Sequence, residues 1–119
     1  MISINYSDAG PIYEKVKDSL RRLMLSGVLP PDSKLPSVRE LAMQLSINPN
    51  TIQRAYRELE QEGAIVSVPG KGSFVAAGGA VRAAREAALR EKLAALVREF
   101  DALGVSREAL VSMIKEVDL

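Results

Sequence analysis

Neither cysteine nor histidine occurs in this chain of 119 residues. The first absence removes disulfides, thiolate zinc sites and cysteine nucleophiles together, and it suits a reducing cytoplasm. The second removes Ser-His-Asp triads, imidazole acid–base chemistry and histidine metal ligands. An enzyme would have to work with carboxylates, lysine, serine or tyrosine, and no convergent pair of these is visible, so no enzymatic role is expected. Long apolar runs are missing as well: no stretch approaches the roughly 20 residues that a bilayer crossing needs. The opening "MISINYSDAGPIYEK" has neither a basic head nor a continuous apolar segment, so a secretory signal is not expected and the reading is a soluble, cytoplasmic protein without a membrane partner. Nothing in the sequence asks for a metal or a cofactor.

What is present is ordinary globular material, with 47% hydrophobic and 26% charged residues, enough for one compact domain and an appended element. The net charge of +1 does not point to nucleic acid, but the distribution is uneven. No acid stands between Glu40 and Glu58, where Arg54 and Arg57 occur. None stands between Glu62 and Glu86 either, where Lys71, Arg82 and Arg85 occur. Two windows are therefore locally cationic, and distribution matters more than the sum.

Along the chain, Pro11 suits the first turn of a helix, followed at helical spacing by Ile12, Val16, Leu20, Leu23 and Met24 up to Gly27. The connector "VLPPDSKLP" is rich in turn residues. Ser37 and Glu40 then have the spacing of a reciprocal capping box, and Val38, Leu41 and Leu45 supply the apolar face of a short second helix. Asn48 can cap a third helix with Pro49 at its first position; Ile52, Ala55, Tyr56 and Leu59 form the inward stripe and Gly63 the stop. "AIVSVPGKGSFVA" reads as a β-hairpin. After the flexible "AAGGA", an alanine-rich charged stretch from Val81 to Leu103 predicts a long helix, with Leu89, Leu93, Leu96, Val97, Phe100 and Leu103 on one narrow face. Ser106 can cap a last helix bearing Leu110, Met113, Ile114 and Val117. The fold class is mainly α with a small β-hairpin, divided into residues 1–76 and a helical region 77–119.

Two short helices joined by "LSIN", with a hairpin behind them, match a winged helix-turn-helix. With the inward stripe of the third helix fixed, a wheel of about 100 degrees per residue turns Asn50, Gln53, Arg54, Arg57 and Gln61 outward. Amides and guanidinium groups are the side chains suited to base edges. The first turn of that helix carries no carboxylate, which leaves its positive end open to an anion such as a DNA phosphate, while Glu58, Glu60 and Glu62 gather at the other end. Arg39 lies about 160 degrees from Leu41 on the second helix and also faces outward. "PGKGS" is not a phosphate-binding P-loop: Ile65 stands where the first glycine should be, and Gly72 follows Lys71 in place of Ser or Thr. Its glycines instead suit a hairpin tip with Lys71 at the apex.

The blocks "PIYEKV", "GVLPPDSKLPSVRELA", "INPNTIQRAYRELEQEGAI" and "GKGSFV", in this order over residues 11–75, resemble the winged helix of GntR-type bacterial transcription regulators. The resemblance implies a homodimer on a two-fold symmetric, double-stranded operator. It implies DNA contacts at Arg39, Asn50, Thr51, Gln53 and Arg54, and at Gly70, Lys71 and Gly72 in the wing; Ser37 beside Arg39, and Arg57 from the wheel, complete the candidate set. Many relatives carry a basic residue where Gln53 stands, which shifts the expected base preference there from guanine toward adenine. Only about forty residues follow the wing, as in the small YtrA-like subgroup, whose short helical tail serves dimerisation. A helix of about 23 residues runs roughly 35 Å, more than one short following helix can cover, so a second subunit is the expected cover for Leu89 to Leu103, with Leu110, Met113 and Ile114. The function expected is that of a repressor. A protein-interaction module that uses the same polar face is the alternative, and the sequence singles out no small-molecule effector.

Overall fold

The structure is a computed structural model that describes residues 2–4 and 9–119. Met1 and residues 5–8, part of the stretch read above for a signal and of the first predicted domain, lie outside the described residues. The element order is α1 (Ile12–Ser26), α2 (Val38–Leu45), α3 (Pro49–Gln61), β1 (Ile65–Val68), β2 (Gly72–Val75), α4 (Ala80–Ala102) and α5 (Arg107–Glu116). The chain divides into two compact units, one ending at Arg85 and the other running from Glu86 to Leu119.

In the first unit, three helices and the hairpin enclose an aliphatic core in which Val16, Leu20, Leu41, Ile52, Leu59 and Val75 are fully buried. Burying each large aliphatic side chain stabilises the fold by about 1.5–3 kcal/mol. All four members of the predicted α3 stripe, Ile52, Ala55, Tyr56 and Leu59, are buried. The Tyr56 hydroxyl donates to the Pro36 carbonyl at 2.7 Å; burial pushes its pKa well up, so it stays a neutral donor joining α3 to the connector before α2. Ile12, the first residue of α1, is 37% exposed rather than part of its core face. Pro11 stands just before α1 as its capping residue.

The turn between α2 and α3 is set by hydrogen bonding. The Ile47 N–H reaches back to the Ala42 carbonyl at 3.0 Å and the Ser46 N–H to Met43 at 3.4 Å, closing α2 with a left-handed residue. That residue is Ser46, at φ 53°, a conformation that glycine adopts at lower cost. At the far end of α3, Gly63 at φ 85° plays the same part, and the Ala64 N–H bonds to the Leu59 carbonyl at 2.9 Å.

β1 and β2 pair antiparallel, with Ile65 opposite Val75 and Val68 opposite Gly72. The proline-rich connector, read from sequence as a loop, also contributes to this sheet. The Leu35 N–H bonds to the Ser73 carbonyl at 2.8 Å and the Val75 N–H to the Ser33 carbonyl at 2.9 Å, with a bridge between Lys34 and Phe74. A bridge this short has no periodicity to read, and its partner lies some forty positions away.

The second unit contains the rest of α4 and α5. Around Gly104, the Val105 N–H bonds to Phe100 and the Gly104 N–H to Asp101, both at 3.0 Å, ending α4 with the glycine just past it. Ser106 Oγ accepts from the Ala109 N–H at 3.1 Å and caps α5. None of the residues from Glu86 to Leu119 is buried.

Candidate nucleic-acid interface

The third helix is built as two different ends. At its start, Asn48 Oδ1 accepts from the Asn50 N–H at 2.8 Å, and the Asn48 carbonyl takes the N–H groups of Thr51 and Ile52. Pro49 has no N–H to satisfy. The first-turn donors are thus already occupied by Asn48, and what this end offers an anion is the positive field of the helix, undiminished by any acid in the first turn.

At its other end, the acids are tied back to the protein. Glu58 accepts from Lys17 Nζ at 2.9 Å, and Glu62 accepts from Lys17 Nζ at 3.1 Å and from Arg21 Nη2 at 3.0 Å. Arg21 is itself buried, and its Nη1 pairs with Asp18 at 2.9 Å. Glu60 accepts from Ser67 Oγ on β1 at 2.9 Å. The hydrogen bond from Lys17 holds the Glu58 carboxyl below its ordinary range. For Glu62, burial pushes the pKa up, but the bonds from Lys17 and Arg21 outweigh it and the net shift is down. Burial likewise opposes the charge on Lys17, and its two carboxylate partners overcome that and raise its pKa. The acidic end of α3 is therefore a clamp onto α1 and the hairpin. Sequence reading did not anticipate the clamp, since Lys17 and Glu62 are 45 positions apart.

Between these ends, Asn50, Gln53, Arg54, Arg57 and Gln61 are all exposed and Thr51 is half-buried. The side chains of Asn50, Gln53 and Arg57 have no hydrogen-bond or ionic partner among the described residues. Arg54 differs. Its guanidinium carbon lies 3.7 Å from the centroid of the Tyr13 ring, and its Nε donates to Glu58 Oε2 at 3.1 Å.

On α2, Ser37 Oγ accepts from the Glu40 N–H at 3.0 Å and Glu40 Oε1 from the Ser37 N–H at 3.3 Å, so the capping box forms as expected and the Ser37 hydroxyl oxygen is used within it. Arg39 next to it is exposed. In the hairpin, the tip is Pro69, Gly70 and Lys71, closed by the Lys71 N–H on the Val68 carbonyl at 2.9 Å. Gly72 has φ 120°, and a Cβ there would stand 3.0 Å from Lys34 Cε. The backbone angle favours glycine, and an added Cβ would also push on the flexible end of the lysine that lies across it. Lys34, which the sequence reading passed over, thus joins Lys71 at the wing. Its signal was available as the lysine of "DSKLPS", but only the bridge to Phe74 brings it there. A shallow groove of about 510 Å³ runs from Lys34 and Ser37 to Lys71 and Ser73. A second hollow, about 580 Å³, lies between the end of α1 and α2, away from the α3 face.

In the second unit, Leu89, Leu93, Leu96, Leu103, Met113 and Ile114 are exposed, and Val97, Phe100 and Leu110 are half-buried. Among the described residues, no group of His, Cys, Asp or Glu is placed to hold a metal, and no helix is long and apolar enough to cross a membrane.

Comparison with known proteins adds to this geometry. The chain is 38% identical over 119 residues to the HTH-type transcriptional repressor YtrA of Bacillus subtilis, a match covering 98% of this chain and 92% of that protein. A GntR family transcriptional regulator from Listeria monocytogenes shares the fold with a TM-score of 0.69 at 31% identity, covering 93% of this chain and 98% of that one. The DNA-binding domain of AraR, solved in complex with an operator, aligns at a TM-score of 0.55 and 32% identity over 64% of this chain and 93% of that one. The family described as bacterial regulatory proteins, gntR family, matches residues 12–75. That match begins at the first residue of α1 and ends at the last of β2, which leaves no element of the winged helix outside it: the chain belongs to the gntR family of bacterial regulatory proteins.

Proposed function

We propose that this protein is a sequence-specific DNA-binding transcription regulator, a repressor acting in the cytoplasm, which binds a two-fold symmetric operator as a homodimer. Each α3 enters a major groove by its acid-free end, and each wing lies against the flanking backbone. The observation that carries this reading is the set of Asn50, Gln53 and Arg57 side chains on the exposed face of α3, without a partner among the described residues, with the neighbouring carboxylates held away by Lys17 and Arg21. Asn50 and Gln53 read base edges, with Thr51 and Arg54 beside them. Arg39, Arg57 and Lys71 supply charge to phosphates, Ser37 lies at the same edge, and Gly70 and Gly72 let the wing tip approach closely. The tail, residues 77–119, dimerises through Leu89, Leu93, Leu96, Val97, Phe100, Leu103, Leu110, Met113 and Ile114. The names of the relatives, a repressor and an operator-bound domain among them, support the reading.

The test is binding of the purified protein to its own upstream DNA, by fluorescence anisotropy at several salt concentrations. Lys71→Ala is expected to weaken binding to every sequence and lower the salt slope by about 1. Gln53→Ala is expected to relax preference at one position of each half-site, at about 1–3 kcal/mol. Equal affinity for upstream and scrambled DNA would end the proposal.

A further inference from the structure

Arg54 is the one residue of the exposed α3 set that the protein already holds on two sides. Its guanidinium lies on the face of Tyr13, from the first turn of α1, at 3.7 Å from the ring centroid. Its Nε is committed to Glu58, one helical turn further on, at 3.1 Å. Glu58 is in turn fixed by Lys17 Nζ at 2.9 Å. An arginine side chain ordinarily loses about 2 kcal/mol of rotamer freedom when it is immobilised. Here much of that ordering is already done in the free protein. The two contacts use one face and the Nε corner, while Nη1 and Nη2 have no hydrogen bond among the described residues. The side chain is still 54% exposed, so this edge is reachable. Two parallel donors in a fixed plane suit a bidentate acceptor on the duplex, either the O6 and N7 of guanine or a pair of phosphate oxygens.

We infer that Tyr13 and Glu58 are positioning residues for DNA recognition: they hold the Arg54 guanidinium in one plane with its Nη edge turned out, so that Arg54 meets a bidentate acceptor without first being ordered. This rests on the proposed DNA-binding function and adds to it a residue of α1, outside the helix-turn-helix. Tyr13 acts through its ring. Its hydroxyl is engaged elsewhere, donating to Glu14 Oε1 at 3.3 Å.

The experiment compares the full-length wild type with Tyr13→Ala, Tyr13→Phe, Arg54→Ala and the Tyr13→Ala/Arg54→Ala double variant, by anisotropy on upstream and scrambled duplexes. Tyr13→Ala is expected to bind upstream DNA about 2- to 5-fold more weakly, the range that an exposed cation–π contact spans. Tyr13→Phe is expected to match the wild type. In the Arg54→Ala background, removing Tyr13 should cost nothing further, because the two act as one unit. A duplex with 7-deazaguanine in place of each guanine in turn tells the guanine edge from phosphate: one position sensitive only when Arg54 is present identifies guanine, and no Arg54-dependent sensitivity at any position identifies phosphate. In the protein without DNA, the Arg54 Nε–H resonance should be shifted by the ring current and return to an ordinary position in Tyr13→Ala. Wild-type protein that fails to distinguish upstream from scrambled DNA would sink the functional reading itself. Given wild-type discrimination, the inference is overturned by Tyr13→Ala at full affinity, by a loss that persists without Arg54, or by Tyr13→Phe as weak as Tyr13→Ala.

Discussion

Leu59 and Leu93 are both helical leucines with a charged residue just before them, yet the first is fully buried and the second 54% exposed. They stand for the two units of the molecule. The winged-helix unit buries Leu59 in one core with Leu20, Leu41, Ile52 and Val75, and satisfies its own termini by caps and left-handed turns. The tail unit has well-formed helix ends but no buried side chain from Glu86 on. Local structure and burial are therefore separable here. Capping, alanine content and helix length form α4 and α5, whereas helical stability in water usually depends on covering an apolar face. The first unit buries its apolar faces within one chain, whereas the apolar side chains of the second stay exposed or half-buried.

This contrast can be broken most sharply at Leu59. Leu59→Ala is expected to destabilise the protein by about 2–5 kcal/mol in denaturant unfolding, with the same loss at every protein concentration. Leu93→Glu with Leu96→Glu should do the reverse. Sedimentation should turn from dimer to monomer, operator affinity should fall by about 100-fold as avidity is lost, and the winged-helix unit should keep its fold by near-UV circular dichroism. A smaller effect is expected at the clamp between the helices. Glu62→Gln should cost about 1–3 kcal/mol, between the values of exposed and buried ion pairs, and should change the pH dependence. Because the folded pKa values of Glu58 and Glu62 are depressed, their contribution is complete above the ordinary glutamate value of about 4.3 and is lost as pH falls through the lower folded values. The raised pKa of Lys17 works the other way: its contribution is present below the ordinary lysine value and is lost as pH rises through the folded one. Acid titration should therefore show a shallower loss of stability in Glu62→Gln than in the wild type. The smallest effect is expected at Ser46→Gly, where relief of the left-handed backbone should raise stability by about 0.5–1 kcal/mol in thermal melts.

Much of the winged helix could be read from residue order alone, for reasons that are local. Ser37 and Glu40 cap α2 because a hydroxyl and a carboxylate three residues apart reach each other's N–H groups. Ile52, Ala55, Tyr56 and Leu59 share one face because about 3.6 residues make a turn, which also turns Asn50, Gln53 and Arg57 outward. The less legible parts involve partners far apart in the chain. The connector strand at Lys34, the clamp from Lys17 and Arg21 onto Glu62, and the stacking of Arg54 on Tyr13 each join segments more than thirty positions apart.

What the sequence determined by itself is therefore the set of helices and the hairpin, their caps and stops, and which face of each is apolar, since these follow from torsional preference and period. What only the tertiary structure decided is where charge is spent. It is tertiary proximity that draws Glu58 and Glu62 onto α1, leaves the side chains of Asn50, Gln53 and Arg57 without a partner among the described residues, and sets Arg54 apart from them on a tyrosine ring, because an ion pair or a stacked ring depends on distances of 3 to 4 Å that no local rule supplies.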